Sequence, residues 1–235
     1  MPDASHVAWE AASRIATALR GAVQHNNQAT LALSGGTTPR DAYARLAREP
    51  GINWTKVDIF WVDERAAAPT DDRSNYRWAK MTLLDAAQIG EASVHRMPAD
   101  QADLEAAAQA YERTIRERVQ GDGDGVPAFD LLVLGVGDDG HTASLFPGDS
   151  TVGMVDRLVA AVPAGKSHEA RLTLTPTAIE HARRVYVLAV GGAKRPALDR
   201  VWADEGLLSQ TPARVIRRCR GEVTWIVDQD LAPVG

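Results

Sequence analysis

Short apolar runs that alternate with helix-like segments constrain the fold of this chain more than any other feature. Runs of this kind, bounded by turn residues, are typical of buried strands. They are ATLAL (29–33), VDIFWVD (57–63), FDLLVLGV (129–136), RLVAAVP (157–163), RLTLT (171–175), RVYVLAV (184–190) and EVTWIVD (222–228), with SVHRM (93–97) as a weaker candidate. Helical spacing predicts helices over 5–24, 38–47, 74–85, 103–119, 176–183, 193–204 and 206–217. The alternation predicts an α/β, Rossmann-like fold, with a mostly parallel sheet flanked by helices on both faces.

The chain is long enough for one α/β domain with a sizeable core, since it has 235 residues of which 45% are hydrophobic. The only candidate boundary is the turn-rich GDGDGVP (121–127), which lacks the later ligands of a calcium loop. A plain surface loop is the simpler interpretation. Apolar strands continue on both sides of it, so we expect a single domain over residues 1–235.

The charge balance and the single cysteine narrow the possible partners and compartments. A net charge of −5 argues against nucleic acid as a partner, because phosphate backbones need a basic surface. Cys219 stands alone, so no internal disulfide can form. The first residues lack the pattern of a secretory signal, and no apolar run reaches about 18 residues. We therefore expect a cytoplasmic protein that does not bind membranes.

Four predicted strands run directly into polar, glycine-rich or charged segments. These segments are SGGTTPR (34–40), DER (63–65), GVGDDGHTASLF (135–146) and GGAKR (191–195). Ligands of open parallel sheets bind beyond the carboxyl ends of the strands. The sequence therefore predicts that the four segments face one crevice.

The first segment has the composition of an anion site. Gly35 and Gly36 allow a sharp turn and a close approach of backbone N–H groups, and a helix begins directly afterwards. Ser34, Gly35, Gly36 and Thr37 are thus candidates for binding phosphate or carboxylate. A tight strand-to-helix turn without a ligand is the alternative.

Basic residues near the other strand ends would complete such a site. In DER, Arg65 is a candidate fixed cation, with Asp63 orienting it. Arg171 and Lys194 are further candidates, and Arg40 is a weaker one. Each of these charges has the alternative of being a solvated surface group.

The segment Gly135–Gly140 is a literal G-x-G-x-x-G and permits three interpretations. A dinucleotide site would require a long helix after the turn, but Pro147 and Gly148 stop any helix after about two turns. The alternative is that the turn presents His141 as a general base, with Asp138 or Asp139 fixing its tautomer. A structural histidine that caps the loop is the remaining possibility.

Neither a metal nor another cofactor is expected. The other histidines do not have metal-ligand spacing, and Cys219 has no partner ligand. The G-x-S-x-G motif of serine hydrolases is absent, which leaves activated water as the simpler nucleophile.

Five blocks together resemble the 6-phosphogluconolactonase family over nearly the whole chain. They are LALSGGTTP, DERAAAPTDDRSNY, GVGDDGHTASLFPG, RLTLTPTAI and VLAVGGAKR. One departure is Asp138, since the family usually has proline before the Asp-Gly-His. The resemblance implies metal-independent hydrolysis of 6-phosphoglucono-1,5-lactone to 6-phosphogluconate, a step of the oxidative pentose phosphate pathway.

Under this resemblance His141 would activate water, and Asp139 would orient the loop or the imidazole. Asp63 and Arg65 join them as candidate catalytic residues. The glycine segment would hold the phosphate or the developing oxyanion, and Arg65, Arg171, Lys194 and Arg40 would neutralise the phosphate. A sugar-phosphate isomerase or deaminase of the same superfamily is one rival, although TASLFPG stands here where that family has AFNEP. A non-catalytic sugar-phosphate-binding module is the other. A monomer or a weak homo-oligomer is expected.

Overall fold

A five-stranded parallel sheet organises the computed structural model, which describes residues 1–166 and 168–232. Its strands, in spatial order, are β2 (Val57–Trp61), β1 (Ala29–Leu33), β4 (Leu131–Gly135), β7 (Arg184–Ala189) and β8 (Glu222–Val227). Every neighbouring pair in this sheet is parallel. The prediction of a mostly parallel α/β fold is confirmed.

A second, three-stranded sheet is antiparallel, and the sequence did not predict it. It consists of β3 (Asp63–Arg65), β6 (Arg171–Leu174) and β5 (Val159–Val162), in that spatial order. The run VDIFWVD is therefore divided between two sheets. Val62 joins them, because its N–H donates to Leu33 and its carbonyl accepts from Leu174. DER is thus a short strand rather than only a strand end.

The helices are α1 (Ala4–Asn26), α2 (Thr37–Leu46), α3 (Asn75–Ala79), α4 (Leu104–Arg118), α5 (Pro176–Glu180) and α6 (Arg195–Trp202). Side chains of Asp3, Ser74 and Asp103 accept backbone N–H groups at the starts of α1, α3 and α4, as N-cap residues do. Short 3₁₀ helices occupy Trp54–Lys56, Glu91–Ser93, Ser150–Gly153, Gly192–Lys194 and Pro212–Arg218.

Three element predictions need correction. The helix predicted over 74–85 is α3 followed by a π-helical turn, Lys80–Leu84. In place of an α-helix over 206–217, the structure has the 3₁₀ helix Pro212–Arg218, preceded by Thr211. Its first residue is Pro212, which has no backbone N–H to donate. SVHRM forms no strand, because only Val94 pairs with the sheet, through an isolated bridge to Ile59.

Helices flank both faces of the parallel sheet, as adjacent residues of β2 show. Successive side chains of a strand point to opposite faces. Phe60 packs against Tyr111 of α4, whereas Trp61 packs against Tyr76 of α3. Both residues are fully buried. Within the described residues, no helix combines the length and apolar character that crossing a bilayer requires.

Candidate active site

The four strand-end segments meet in one cavity, as the sequence predicted. The cavity is lined by residues 34–39 after β1, Asp63 and Arg65 of β3, residues 135–137 at the end of β4, His141 and Ala143 in the turn that follows, and Lys194 after β7. Arg171 of β6, Leu188 of β7 and Asn75 of α3 complete the lining. Hence nearly all candidate residues are brought together; Arg40 and Asp139 are outside the lining, and Asp139 contacts the lining residue His141.

The glycine loop, which we define as residues 34–38, exposes backbone donors to this cavity. Gly36 has φ +105°, a conformation that favours glycine, and it directly precedes α2. Within the described residues, the N–H groups of Gly35 and Gly36 have no acceptor. Those of Thr37 and Thr38 open α2 and have no intrahelical acceptor either. The loop therefore has the geometry of an anion site.

Ser34 anchors the start of the glycine loop. Its backbone N–H donates to the hydroxyl of Tyr43 at 3.0 Å, and that hydroxyl donates back to the carbonyl of Ser34 at 3.2 Å. Complete burial raises the pKa of Tyr43 far above its usual range, so the phenol stays a neutral donor. These two hydrogen bonds to Tyr43 fix the start of the loop, and the residues that carry the other N–H donors line the cavity.

The turn after β4 presents a side chain instead. Asp139 Oδ1 lies 2.6 Å from Nδ1 of His141 and accepts the backbone N–H of His141 at 3.0 Å. Partial burial raises the pKa of Asp139, but these hydrogen bonds outweigh it and hold that pKa below its usual value. A charged carboxylate at Nδ1 fixes the proton there. Within the described residues Nε2 of His141 has no partner, so its lone pair is available to a ligand.

Glycine is required at 137 because the imidazole lies over it. A Cβ atom there would stand 2.2 Å from both Cε1 and Nδ1 of His141. Gly140 has φ +93°, which completes the reversal of the chain. Residues 136–149, all of them described, contain no helix. The dinucleotide interpretation of this G-x-G-x-x-G is therefore wrong, and the glycines serve the histidine.

Two arginines are juxtaposed by the antiparallel sheet. Arg65 of β3 is directly opposite Arg171 of β6 in the register. Like charges directly opposite destabilise a sheet. Burial lowers the pKa of Arg171, Asp63 raises it, and Arg65 lowers it again, with a net decrease. An anion between these two cations would relieve their repulsion.

The predicted pairing of Asp63 with Arg65 needs correction. Asp63 Oδ2 lies 3.5 Å from Nη1 of Arg171, and among the described residues Asp63 has no hydrogen bond or ion pair with Arg65. Arg65 instead donates to the carbonyl of Arg73 at 2.5 Å. The pleat directs both side chains to the same face of β3, but Asp63 extends across the sheet toward Arg171 of β6, whereas Arg65 extends toward Arg73.

Arg40 and Lys194 occupy different positions at the cavity. The guanidinium of Arg40 lies 3.8 Å from the ring centroid of Trp78, and burial together with Arg65 lowers its pKa. Lys194 lines the cavity; its Nζ donates to the carbonyl of Val136 at 2.6 Å and to Asp138 at 3.2 Å. Asp138, the residue that departs from the family pattern, therefore forms an ion pair with Lys194, a candidate phosphate-binding residue.

Sequence reasoning missed the side chains that hold Asp63. Ser144 donates its hydroxyl proton to Asp63 Oδ2 at 2.6 Å, and the amide of Asn75 donates to the carbonyl and to Oδ1 of Asp63. Asn75 is the last residue but one of the block DERAAAPTDDRSNY. The block includes Asn75, but nothing in its sequence indicated which of its polar side chains lines the cavity.

One group of potential metal ligands lies outside this cavity. Donor atoms of Asp122, Asp124 and His181 are within 4.8 Å of one another. Arg220 forms ion pairs with both carboxylates, at 3.6 Å from Asp122 and at closer range from Asp124. A guanidinium thus already neutralises the group, and the interpretation of 121–127 as a plain loop stays the simpler one.

Comparisons with known proteins agree with this geometry. A family model described as glucosamine-6-phosphate isomerases/6-phosphogluconolactonase matches residues 2–225. A 6-phosphogluconolactonase of Synechocystis is 41% identical over 92% of this chain and 88% of its own. That of Mycobacterium tuberculosis is 34% identical over 98% and 95%.

Solved structures give the same result. The 6-phosphogluconolactonase of Trypanosoma brucei superposes with a TM-score of 0.87 at 27% identity, over 99% of this chain and 95% of that one. For the Trypanosoma cruzi protein of the same name the TM-score is 0.86 at 30% identity, over 99% and 94%. The likeness therefore extends over the entire fold, including all four strand-end segments.

Proposed function

The chain belongs to the family of glucosamine-6-phosphate isomerases and 6-phosphogluconolactonases, and from that premise we propose that it hydrolyses 6-phosphoglucono-1,5-lactone with water that His141 deprotonates. The product is 6-phosphogluconate, and the step belongs to the oxidative pentose phosphate pathway. The observation that carries the proposal is the His141–Asp139 pair, which faces the same cavity as the glycine loop and three cations.

The charged side chains that line the cavity are mostly positive, which favours binding of the substrate phosphate. Arg65, Arg171 and Lys194 line the cavity, and among the described residues Asp63 is the only carboxylate in the lining. The carboxylate of Asp63 is engaged by Ser144, Asn75 and Arg171, so it acts as an orienting group. Nε of Arg65 and of Arg171 is buried without a partner among the described residues. These donors suit the oxygens of a phosphate.

The hydrolysis then follows from the position of Nε2 of His141. This nitrogen takes one proton from water as the oxygen of that water bonds to the lactone carbonyl carbon. The negative charge on the former carbonyl oxygen is stabilised by nearby N–H donors. When the bond from that carbon to the ring oxygen breaks, the imidazolium returns the proton to the ring oxygen. Asp139 stabilises the imidazolium throughout.

The rival functions differ in what they require of the same cavity. A deaminase would need to act on an amino sugar phosphate, and that family has a glutamate in its AFNEP segment. Here the chain continues TASLFPG after His141, without an acidic residue before Asp149. A non-catalytic sensor would have no use for a histidine whose Nδ1 is engaged and whose Nε2 has no partner among the described residues. Lactone hydrolysis uses the histidine, the glycine loop and the three cations of the cavity.

The test is a hydrolysis assay on freshly formed 6-phosphoglucono-1,5-lactone, with subtraction of spontaneous ring opening. Glucosamine 6-phosphate is assayed in parallel for deamination. We expect enzyme-dependent opening of the lactone that persists after exhaustive treatment with a chelator, and no release of ammonia. Ammonia release without lactone opening would support the deaminase. Binding of 6-phosphogluconate without turnover of either substrate would support the sensor.

Further parts of the proposal concern the state of the protein. We infer that residues 1–235 form one domain, that the protein acts in the cytoplasm without a cofactor or a nucleic-acid partner, and that it is a monomer or a weak homo-oligomer. Support comes from the continuous hydrophobic core, which includes residues of every described strand except β3 and of α1–α6. Sedimentation of the purified chain across a concentration series would test the last point.

A further inference from the structure

Asn75 occupies a central position that the proposed reaction does not use. It is the first residue of α3 and only 3% exposed, yet it lines the cavity. Its backbone N–H donates to Glu64 Oε1 at 2.8 Å, and Glu64 is itself buried. The main chain of Asn75 is therefore fixed, and its side chain has a defined direction.

One end of the Asn75 amide binds Asp63. Nδ2 donates to the carbonyl of Asp63 at 3.0 Å and to its Oδ1 at 3.2 Å. Both partners are acceptors, so the NH₂ group must face them, and the amide cannot be reversed. The other carboxylate oxygen of Asp63 accepts from Ser144 and faces Arg171. Asn75 thus fixes the carboxylate that orients Arg171.

The other end of the amide lies against the glycine loop. A Cβ atom on Gly35 would stand 1.9 Å from Oδ1, 2.6 Å from Cγ and 3.0 Å from Nδ2 of Asn75. These are the three nearest atoms, and all belong to Asn75. Gly35 does not have a positive φ, so its backbone conformation alone would accept alanine. What excludes a side chain at 35 is the amide of Asn75.

The geometry points to Asn75 as a positioning residue that links the glycine loop to the Asp63–Arg171 ion pair. It fixes the distance between the N–H donors of the loop and the guanidinium of Arg171, so that both can bind the substrate phosphate. This inference rests on the lactonase function proposed above. Asn75 need not touch the substrate. Its Oδ1 is buried without a hydrogen-bond partner among the described residues, packed instead against Gly35.

The first experiment measures binding and turnover separately. Asn75→Ala removes both contacts, and we expect the Kd of 6-phosphogluconate and the KM of the lactone to rise roughly 5- to 100-fold, the usual effect of losing a buried hydrogen bond. The kcat should fall less. Asn75→Asp keeps the shape but turns an acceptor toward Asp63, so it should lose at least as much affinity. A purely structural asparagine would lower the unfolding temperature and leave Kd unchanged.

The second experiment tests the contact with Gly35 directly. Gly35→Ala should be strongly impaired in stability and in 6-phosphogluconate binding. In the Asn75→Ala background the same substitution should cost much less, because the three obstructing atoms are gone. Gly36→Ala is the matched control: its obstacle is φ +105°, so Asn75→Ala should give it no relief. If Gly35→Ala does not fold, folding of the double variant is itself the expected rescue.

Two outcomes would overturn the inference. One is an Asn75→Ala protein that folds and binds 6-phosphogluconate within about twofold of the parent. The other is a Gly35→Ala defect of equal size in both backgrounds. Both readouts, binding of 6-phosphogluconate or inorganic phosphate and unfolding temperature, are independent of lactone hydrolysis. Failure of the proposed function would therefore appear as absent turnover in the parent chain, with the coupling still measurable.

Discussion

Two glycine-rich segments follow the neighbouring strands β1 and β4 and line the same cavity, and they use glycine for opposite purposes. After β1, glycines and the start of α2 present the backbone itself, with N–H groups of Gly35 and Gly36 that have no acceptor among the described residues. After β4, the N–H groups of Gly137 and Gly140 donate to carbonyls within the turn, which presents one side chain, His141. The first end is suited to hold an anion and the second to move a proton.

The steric demands at the two ends reveal this division. Gly35 makes room for Asn75, a side chain from another helix, whereas Gly137 makes room for His141, four residues along the same turn. One contact depends on tertiary packing and the other is local. Glycine in a strand-end motif therefore does not by itself indicate a phosphate cradle. The neighbour that a Cβ atom would displace identifies its role.

The largest expected effect is on the side-chain end. His141→Asn keeps much of the shape and the hydrogen bonding but offers no usable base, so kcat should fall about 10²- to 10⁴-fold. The affinity for 6-phosphogluconate should change little, because the glycine loop and the cations hold the phosphate. Steady-state kinetics and calorimetry measure the two quantities. The exposed His25 supplies the control, His25→Asn, which should match the parent. Parental turnover in His141→Asn would move the search for the base to Asp63 and Asp139.

Gly137→Ala should have the next largest effect, acting through His141 and its partner Asp139. A Cβ atom 2.2 Å from the imidazole must displace the ring, and a displacement of about 1 Å can lower turnover roughly 10²-fold. Binding of 6-phosphogluconate should persist. Gly135→Ala is matched to it, since the nearest atom there, Leu188 O, is at an ordinary 3.9 Å. Equal losses in the two variants would contradict the steric explanation.

Removal of a cation that lines the cavity should weaken the binding of the phosphate. Arg171→Ala and Lys194→Ala should each weaken 6-phosphogluconate binding roughly 10- to 150-fold, the usual contribution of a charge-assisted hydrogen bond. Unphosphorylated gluconolactone should be a poor substrate and lose little further. Arg48→Ala, at an exposed position, serves as the control. If both substrates lost activity equally, these residues would act on the fold instead of on the phosphate.

The smallest expected effect concerns Asp138, which pairs with Lys194 at 3.2 Å while being 71% exposed. Asp138→Asn releases Lys194 from a competing carboxylate. Exposed ion pairs contribute about 0.2–1 kcal/mol, so the affinity for 6-phosphogluconate should rise roughly 1.5- to 5-fold at low salt. Asp204→Asn, at a fully exposed site, controls for the change in net charge. A decrease in affinity would mean that Asp138 positions Lys194 rather than competing for it.

Much of the fold was predictable because it depends on local pattern. The apolar run 29–33 coincides with β1, and 184–190 and 222–228 end within one residue of β7 and β8. The convergence of the four strand-end segments also followed, since parallel strands share one carboxyl edge. The turn Asp139–His141 was readable for the same reason: both side chains and the glycines that accommodate them lie within a few residues.

Pairing between distant segments was not readable in this way. The sequence by itself determined the strands, the two glycine-rich ends and the histidine turn, through periodicity and local sterics. Only the tertiary structure decided that β3 and β6 form an antiparallel sheet, which sets Arg65 opposite Arg171 and turns Asp63 toward Arg171. It also decided that Asn75 fills the space over Gly35. Register and side-chain packing depend on which surfaces meet, and composition along a single segment carries no record of its partner.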